Sequence, residues 1–352
     1  MKACDLAKLL GVSPATISLV LNDKPGLSQK LRQRLTEQII ELGYEDMLAG
    51  SKKKASQQKA LSKKDLARPS IAFISYMNNN PWEEIYSFYG GVLEGAQQEA
   101  KDIDCNLVVI YRESETNLKQ ALRRAGEVIG AVIACDWVNE EVMEELTELE
   151  IPLVFIDSFD PTIKVNAVNV DNRQSMYSIV EYLKQRGHRD IGYAMRGDER
   201  NANDDRRIAF RRALKDLHLR DRQERYYITG MDHGPMDTSL LEARFKEAET
   251  LPTAIVTEND IVGLLVINAL KKVGLRVPED VSVIGFDNNP LSRITDPPMT
   301  TVVSSRHRIG RECVALAIRL RNLYKMDMPH LPMKISISTE IIERQSVADI
   351  TK

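Results

Sequence analysis

Cysteine is scarce here, and none of it is paired by spacing. Cys4, Cys105, Cys135 and Cys313 lie far apart, with no CxxC among them. That excludes a zinc finger or a disulfide framework and fits a reducing compartment, the cytoplasm. No stretch reaches the ~18 apolar residues of a membrane span. The first residues include Asp5 and no long apolar core, so no signal peptide is expected. Phosphate-cradling and nucleophile motifs are missing: there is no GxGxxG, no GxxxxGK before Ser or Thr, no GxSxG and no HExxH. His188, His218, His233, His307 and His330 are scattered, without two ligands spaced for one helix face. Neither a metal, nor a cofactor, nor an enzyme is expected.

What is present is a folded, soluble type of composition. Hydrophobic residues are 43% and charged residues 28% of 352, too apolar for disorder and long enough for two or three domains. The net charge of -3 hides an asymmetry. Residues 1–68 hold 13 Lys and Arg against 7 Asp and Glu, the remainder 35 against 44. A basic head on an acidic body is the footprint of a nucleic-acid-binding module, although a basic tail without a partner has the same charge.

Residues 1–46 read as three short helices. The first runs from about Ala3 to Leu10 and is broken by Gly11, with Val12 plugging the turn. Ser13 is a good N-cap, and Pro14 sits where a missing N–H costs nothing. Ile17, Val20 and Leu21 form the inner face of the second helix, and Asn22 to Gly26 stop it. Ser28 caps the third, with the stripe Leu31, Leu35, Ile39 and Leu42. Helix, tight turn, helix is the helix-turn-helix pattern. Its exposed residues Pro14, Ala15, Ser18 and Leu19 are expected at base edges. Thr16 and Asn22 are the candidates for phosphate contact, and Ser13 and Lys24 complete the expected DNA-binding residues.

The stretch DLAKLLGVSPATISLVLNDKPGLSQKLRQRLTEQIIELGY resembles the headpiece of the LacI family of bacterial transcription repressors. The matches are Asp5, Ala7, Gly11, Val12, Ser13, Thr16, Ser18, Leu21, Asn22, Ser28, Arg34 and Gly43-Tyr44. Two features depart from it. The family's frequent base-reading arginine is Leu19, which makes only apolar contacts. The chain also starts almost at the first helix. Residues 47–68 are polar and basic, either a plain linker or the family's hinge helix, in which Leu48 would wedge into the minor groove.

From Ser70 short apolar runs alternate with helical stretches. The runs are 71–76, 106–111, 130–135, 152–157, 191–195, 254–257 and 281–286; the helices lie near 83–102, 116–127, 139–149, 171–186, 204–217, 237–248, 260–272 and 307–324. Near-continuous apolar strands alternating with helices signal an α/β fold of parallel sheets covered on both faces. GHRDIGY (187–193), DRRIAFRRAL (205–214) and the stretch 253–302 resemble the two-lobed, periplasmic-binding-protein-like core of the same family. The resemblance implies one effector-binding and dimerisation domain over 69–348. Lobe one is expected at about 69–168 and 301–330, and lobe two at about 169–300 and 331–348.

A ligand in such a fold sits where strand C-termini of both lobes face a shared crevice. Asp157, Asn259 and Asp287 stand at such ends and match family pocket positions, with helix capping (Asn259) and turn chemistry (Asp287) as the plainer roles. Trp82 either stacks on a sugar face or caps a core. The resemblance implies an effector-gripping arginine at position 204. Asp204 stands there, leaving Arg206, Arg200 or Arg196 to substitute and opening the pocket to an amino-sugar as well as a neutral sugar.

The expected function is a sequence-specific transcription regulator, usually a repressor, on a palindromic double-stranded DNA operator under a small effector. The alternative is a DNA-binding regulator without an effector, constitutive or controlled by a partner protein. Only a few residues follow IIERQS, leaving no room for a tetramerising helix, so a homodimer is expected. The helix 307–324 is either part of that interface or a core helix of lobe one.

Overall fold

A computed structural model describes residues 7, 10, 12–21, 24, 26–41, 68–76, 82–112, 116–135, 140–158, 163–196, 202–229, 237–328 and 331–351, with backbone only at 30, 37, 40, 41, 82–87 and 202–204. The chain divides into two compact units, Met1–Ala67 and Arg68–Lys352.

In the first unit, α1 (Pro14–Leu21) and α2 (Gln29–Glu41) pack on one small core. The Thr16 amide donates to Ser13 Oγ at 3.0 Å, so Ser13 caps α1. Ile17, Val20 and Leu21, spaced for one helix face, are buried with Ala7, Leu35 and Ile39. Of the expected first helix only Ala7, buried, and Leu10 are described. Asn22 and Leu48 lie outside the described residues.

In the second unit, β1 (Ser70–Tyr76), α3 (Trp82–Asp102), β2 (Asn106–Tyr111), α4 (Leu118–Arg124), β3 (Val128–Cys135), α5 (Glu140–Thr147), β4 (Leu153–Ile156) and β5 (Asn166–Val170) build the first lobe. The second begins with α6 (Asn172–Gln185), β6 (Ile191–Arg196), α7 (Ala202–Asp216), β7 (Tyr226–Thr229), α8 (Ser239–Glu247), β8 (Ala254–Thr257), α9 (Asp260–Lys272) and β9 (Ser282–Ile284). Then come β10 (Thr301–Val303), α10 (Arg306–Lys325), β11 (Lys334–Ile337) and β12 (Glu340–Ile342). One parallel sheet runs β11-β5-β4-β3-β1-β2 and the other β7-β6-β8-β9.

The lobe boundaries need correction. β11 pairs with β5, so residues 334–337 complete the first sheet rather than the second lobe. β10 pairs with β12, and the Asp287 amide donates to the Val302 carbonyl at 2.8 Å. Residues 301–303 therefore border β9 in the second lobe. The chain crosses between lobes after Val170, after Val303 and after Ile337.

The helix expected near 307–324 is α10, and its apolar residues Cys313, Leu316 and Leu320 are buried in the core. Its inner face packs the core of lobe one, while Ala315 is exposed on the outer side and Ile318 half-buried. α10 crosses α3 at very short range. A Cβ on Gly310 would run into the Val92 carbonyl oxygen, and one on Gly95 into that of His307. Glycine at both positions lets the two backbones touch.

Candidate functional site

The strands of each sheet end at the crevice side, where both lobes supply polar groups. Asp157 follows β4 with a left-handed backbone (φ 53°). Its Oδ1 accepts the Val170 amide at 3.0 Å. Burial pushes its carboxyl up to about 6, against the Val170 bond and the Arg206 charge. Asp287 follows β9 at φ 97°. Its Oδ1 accepts Ser304 Oγ at 3.3 Å and Arg206 Nη2 at 3.5 Å.

Arg206 is the hub. It is 6% exposed, on the inner face of α7. Its Nη1 donates to the Glu258 carbonyl at 2.7 Å and its Nε to Asn172 Oδ1 at 3.1 Å. The guanidinium carbon lies 4.0 Å from the Phe286 ring centroid. Burial opposes its charge, but the carboxylates of Asp287 and Asp157 outweigh that and raise its pKa. Asn172 Nδ2 in turn donates to Asp205 Oδ2 at 3.0 Å. A cation lodged among acids from both lobes offers donors and acceptors suited to a polyol.

The other expected residues divide. Asn259 Oδ1 accepts the Val262 amide at 2.9 Å, which gives Asn259 the helix-capping role. Asp260 beside it is sealed, accepting Thr301 Oγ1 and the Asn289 amide, each at 2.5 Å, and burial pushes its carboxyl up to about 8. It ties β10 and the turn after Asp287 to α9. Trp82 and Asp204 lie in α3 and α7, with side chains outside the described residues; Arg200 is outside them altogether. Of the two described candidate arginines, Arg206 is the buried one.

Glu258, Asn169 and the Tyr76–Glu145 pair escaped the sequence reading, whereas Arg196 was one of the three candidate arginines. Arg196 ends β6, and its Nε meets Glu258 Oε1 at 2.8 Å. Glu258 closes the apolar run of β8 as Asp157 closes that of β4, a signal that was available. Asn169 is buried, and its Nδ2 donates to the Ser158 carbonyl at 3.1 Å while its Oδ1 has no partner. On lobe one the Tyr76 hydroxyl donates to Glu145 Oε2 at 3.0 Å, with Arg112 Nε also 3.0 Å from Glu145. Among the described residues no cluster of His, Cys, Asp and Glu suits a metal, and no helix is long and apolar enough to cross a membrane.

On the head, Ser13, Pro14, Ala15, Ser18 and Lys24 are exposed, and Thr16 and Leu19 half-buried. Residues 4–46 match the bacterial regulatory proteins of the lacI family, and residues 180–347 match the periplasmic binding protein-like domain. The chain belongs to the LacI family. It is a DNA-binding transcription regulator, and the family is not one of enzymes. A relative, the HTH-type transcriptional regulator RegA of Clostridium saccharobutylicum, is 26% identical over 97% of this chain and 98% of its own. The HTH-type transcriptional repressor PurR of Vibrio cholerae serotype O1 is 27% identical over 99% of this chain and 98% of its own. Among solved structures, a CelR–cellobiose complex has a TM-score of 0.64 at 23% identity, covering 98% of this chain and 99% of that one. The lac repressor dimer bound to operator and an anti-inducer also has 0.64, at 19% identity and 99% coverage of both chains. At those identities the two structures show the fold, and not the ligand or assembly, of this chain.

Proposed function

We propose that this regulator is a cytoplasmic repressor. It binds a palindromic operator as a homodimer and answers to a sugar or amino-sugar held between its lobes. The observation that carries the effector reading is Arg206, buried at the strand ends and bonded toward Asp287 while feeling the charge of Asp157 from the other lobe. Asp157 and Asp287 near one guanidinium, with Asp205 reached through Asn172, favour a donor-rich ligand, hydroxyls or an ammonium group. The solved relative with cellobiose supports the sugar class. The operator dimer of the lac repressor supports the paired heads. Val109 and Tyr111 on the edge strand β2, and Ile228 on the edge strand β7, expose apolar surface for a second copy.

The mechanism requires the two lobes to shift against each other. An effector that prefers one lobe arrangement shifts the lobes, and the heads lose their paired spacing on the half-sites. Such coupling needs ~1–3 kcal/mol.

The test is selection of genomic fragments by the full-length protein at about 50 and 200 mM salt, followed by thermal unfolding with a panel of sugars and amino-sugars. A palindrome retained at the higher salt, and a stabilising sugar that weakens its retention, are expected. Equal, salt-sensitive retention of all fragments overturns the repressor reading. A retained palindrome with no stabilising sugar would transfer control to a partner protein.

A further inference from the structure

The exposed face of α1 has an unusual chemistry for a helix that reads DNA. Major-groove discrimination uses a short list of side chains. Arg or Lys takes guanine, Asn or Gln takes adenine, and Asp or Glu takes cytosine. None of these occurs in α1, whose sequence is PATISLVL. Its outward residues are Pro14, Ala15 and Ser18, with Leu19 half-buried beside them.

The hydroxyls do not repair this. Thr16 Oγ1 lies 2.8 Å from Ser13 Oγ, and the same Ser13 oxygen accepts the Thr16 amide, so both are engaged in the cap. Ser18 is the third hydroxyl, and a serine hydroxyl serves several bases without choosing. Pro14, Ala15 and Leu19 offer a pyrrolidine ring, a methyl and an isobutyl group.

Leu19 is also braced. Its carbonyl accepts the Lys24 amide at 3.0 Å and Arg32 Nη1 at 3.3 Å. Arg32 Nη2 donates in addition to the Lys24 carbonyl. The Leu19 Cδ1 methyl lies close enough to Gly26 that a Cβ there would sit at 3.4 Å. Behind the helix, Ile17, Val20 and Leu21 fix its rotation on the core. The apolar face is therefore presented in one orientation, without ordering cost when it meets DNA.

We infer that α1 selects its half-site by apolar contact with thymine 5-methyl groups, through Pro14, Ala15 and Leu19. The 5-methyl is the one apolar group that marks a standard base pair in the major groove. The half-site then carries thymines where these residues land, and no guanine is chosen by a bidentate arginine from this helix. The inference rests on the DNA-binding reading and adds which base feature is read.

The experiment starts from the palindrome selected above. Each thymine of the half-site is replaced by deoxyuridine, which keeps every hydrogen-bonding group and loses only the methyl. The unaltered full-length protein is used, so no variant has to fold. Binding is expected to weaken about three- to fourfold for each contacted methyl, the worth of one buried methyl group, and by tens-fold when all are removed together. In parallel, Leu19→Arg is expected to select guanine at one position and to lose the uridine effect there. If the fully uridine-substituted half-site binds within twofold of the parent, methyl reading is wrong while operator binding stands. If no palindrome is selected at all, both fall.

Discussion

Glu258 and Arg196 form an ion pair in which only the base meets water. The side chains are 1% and 22% exposed, and the contact is 2.8 Å. The Arg196 amide also donates to the other Glu258 oxygen at 3.0 Å, so the acid holds the end of β6 by two bonds. Removing the base strands a sealed carboxylate, which costs ~3–5 kcal/mol for a buried pair. Arg196→Met is expected to lower unfolding stability by about 3 kcal/mol. Arg196→Met together with Glu258→Leu should recover a large part of it. Urea unfolding of the single and double variants checks both, and a double variant no better than the single would contradict the account.

Two carboxyls set a pH slope. Burial raises Asp157 to about 6 and Asp260 to about 8, from an ordinary value of 3.8. The folded protein therefore binds protons more tightly than the unfolded chain. Their contribution is full below the ordinary value and is lost as pH rises through about 6 for Asp157 and about 8 for Asp260. Stability from these groups should fall as the solution is made alkaline. Asp157→Asn keeps an oxygen for the Val170 amide and should remove the lower-pH part of the slope. Unfolding free energy measured across that range tests the sign; a rise with pH from these positions would refute it.

A glycine of α10 and a glycine of α3 separate two effects. A Cβ on Gly310 meets the Val92 carbonyl oxygen, whereas one on Gly90 meets nothing within 4 Å. Gly310→Ala is expected to destabilise by roughly 2 kcal/mol or more, because neither backbone can yield without parting α3 from α10. Gly90→Ala should stabilise by ~0.5–1 kcal/mol, since alanine loses less chain entropy in a helix. Thermal unfolding of the two variants should move in opposite directions.

Effector control should be separable from DNA binding at Arg206. Arg206→Lys keeps the charge and loses the planar fork that spans Asn172, the Glu258 carbonyl and Asp287. Operator affinity should stay within a few-fold, because α1 is unaltered. Affinity for the stabilising sugar should fall ~10-fold or more. Parallel titrations of operator and sugar read the two effects. Equal losses in both would argue against a crevice role.

Much of this architecture was legible in residue order. The strands at 106–111 and 254–257 and the helix at 260–272 stand where apolar periodicity put them. β5 was not legible, for a local reason. Its sequence NAVNV places two asparagines in a sheet, and each finds backbone partners: Asn166 the Leu153 carbonyl and Met333 amide, Asn169 the Ser158 carbonyl. Hydropathy alone reads such polar residues as a loop. The lobe of β11 was hidden because strand pairing across more than a hundred residues leaves no mark on a local pattern. In the crevice, Asp157 and Asp287 announced themselves at strand ends, whereas Arg206 was one of three arginines until burial singled it out.

The position of β11 has a consequence for how the protein is made. The first sheet begins at Ser70 but gains its edge only with Lys334–Ile337. During synthesis the reading head has its whole core, from Ala7 to Ile39, hundreds of residues before that edge exists. A ribosome that stalls in between leaves a chain able to touch DNA but lacking a finished body to pair, sense or dissociate. Synthesis thus orders the two units: the head's core is complete long before the first sheet can gain its last strand.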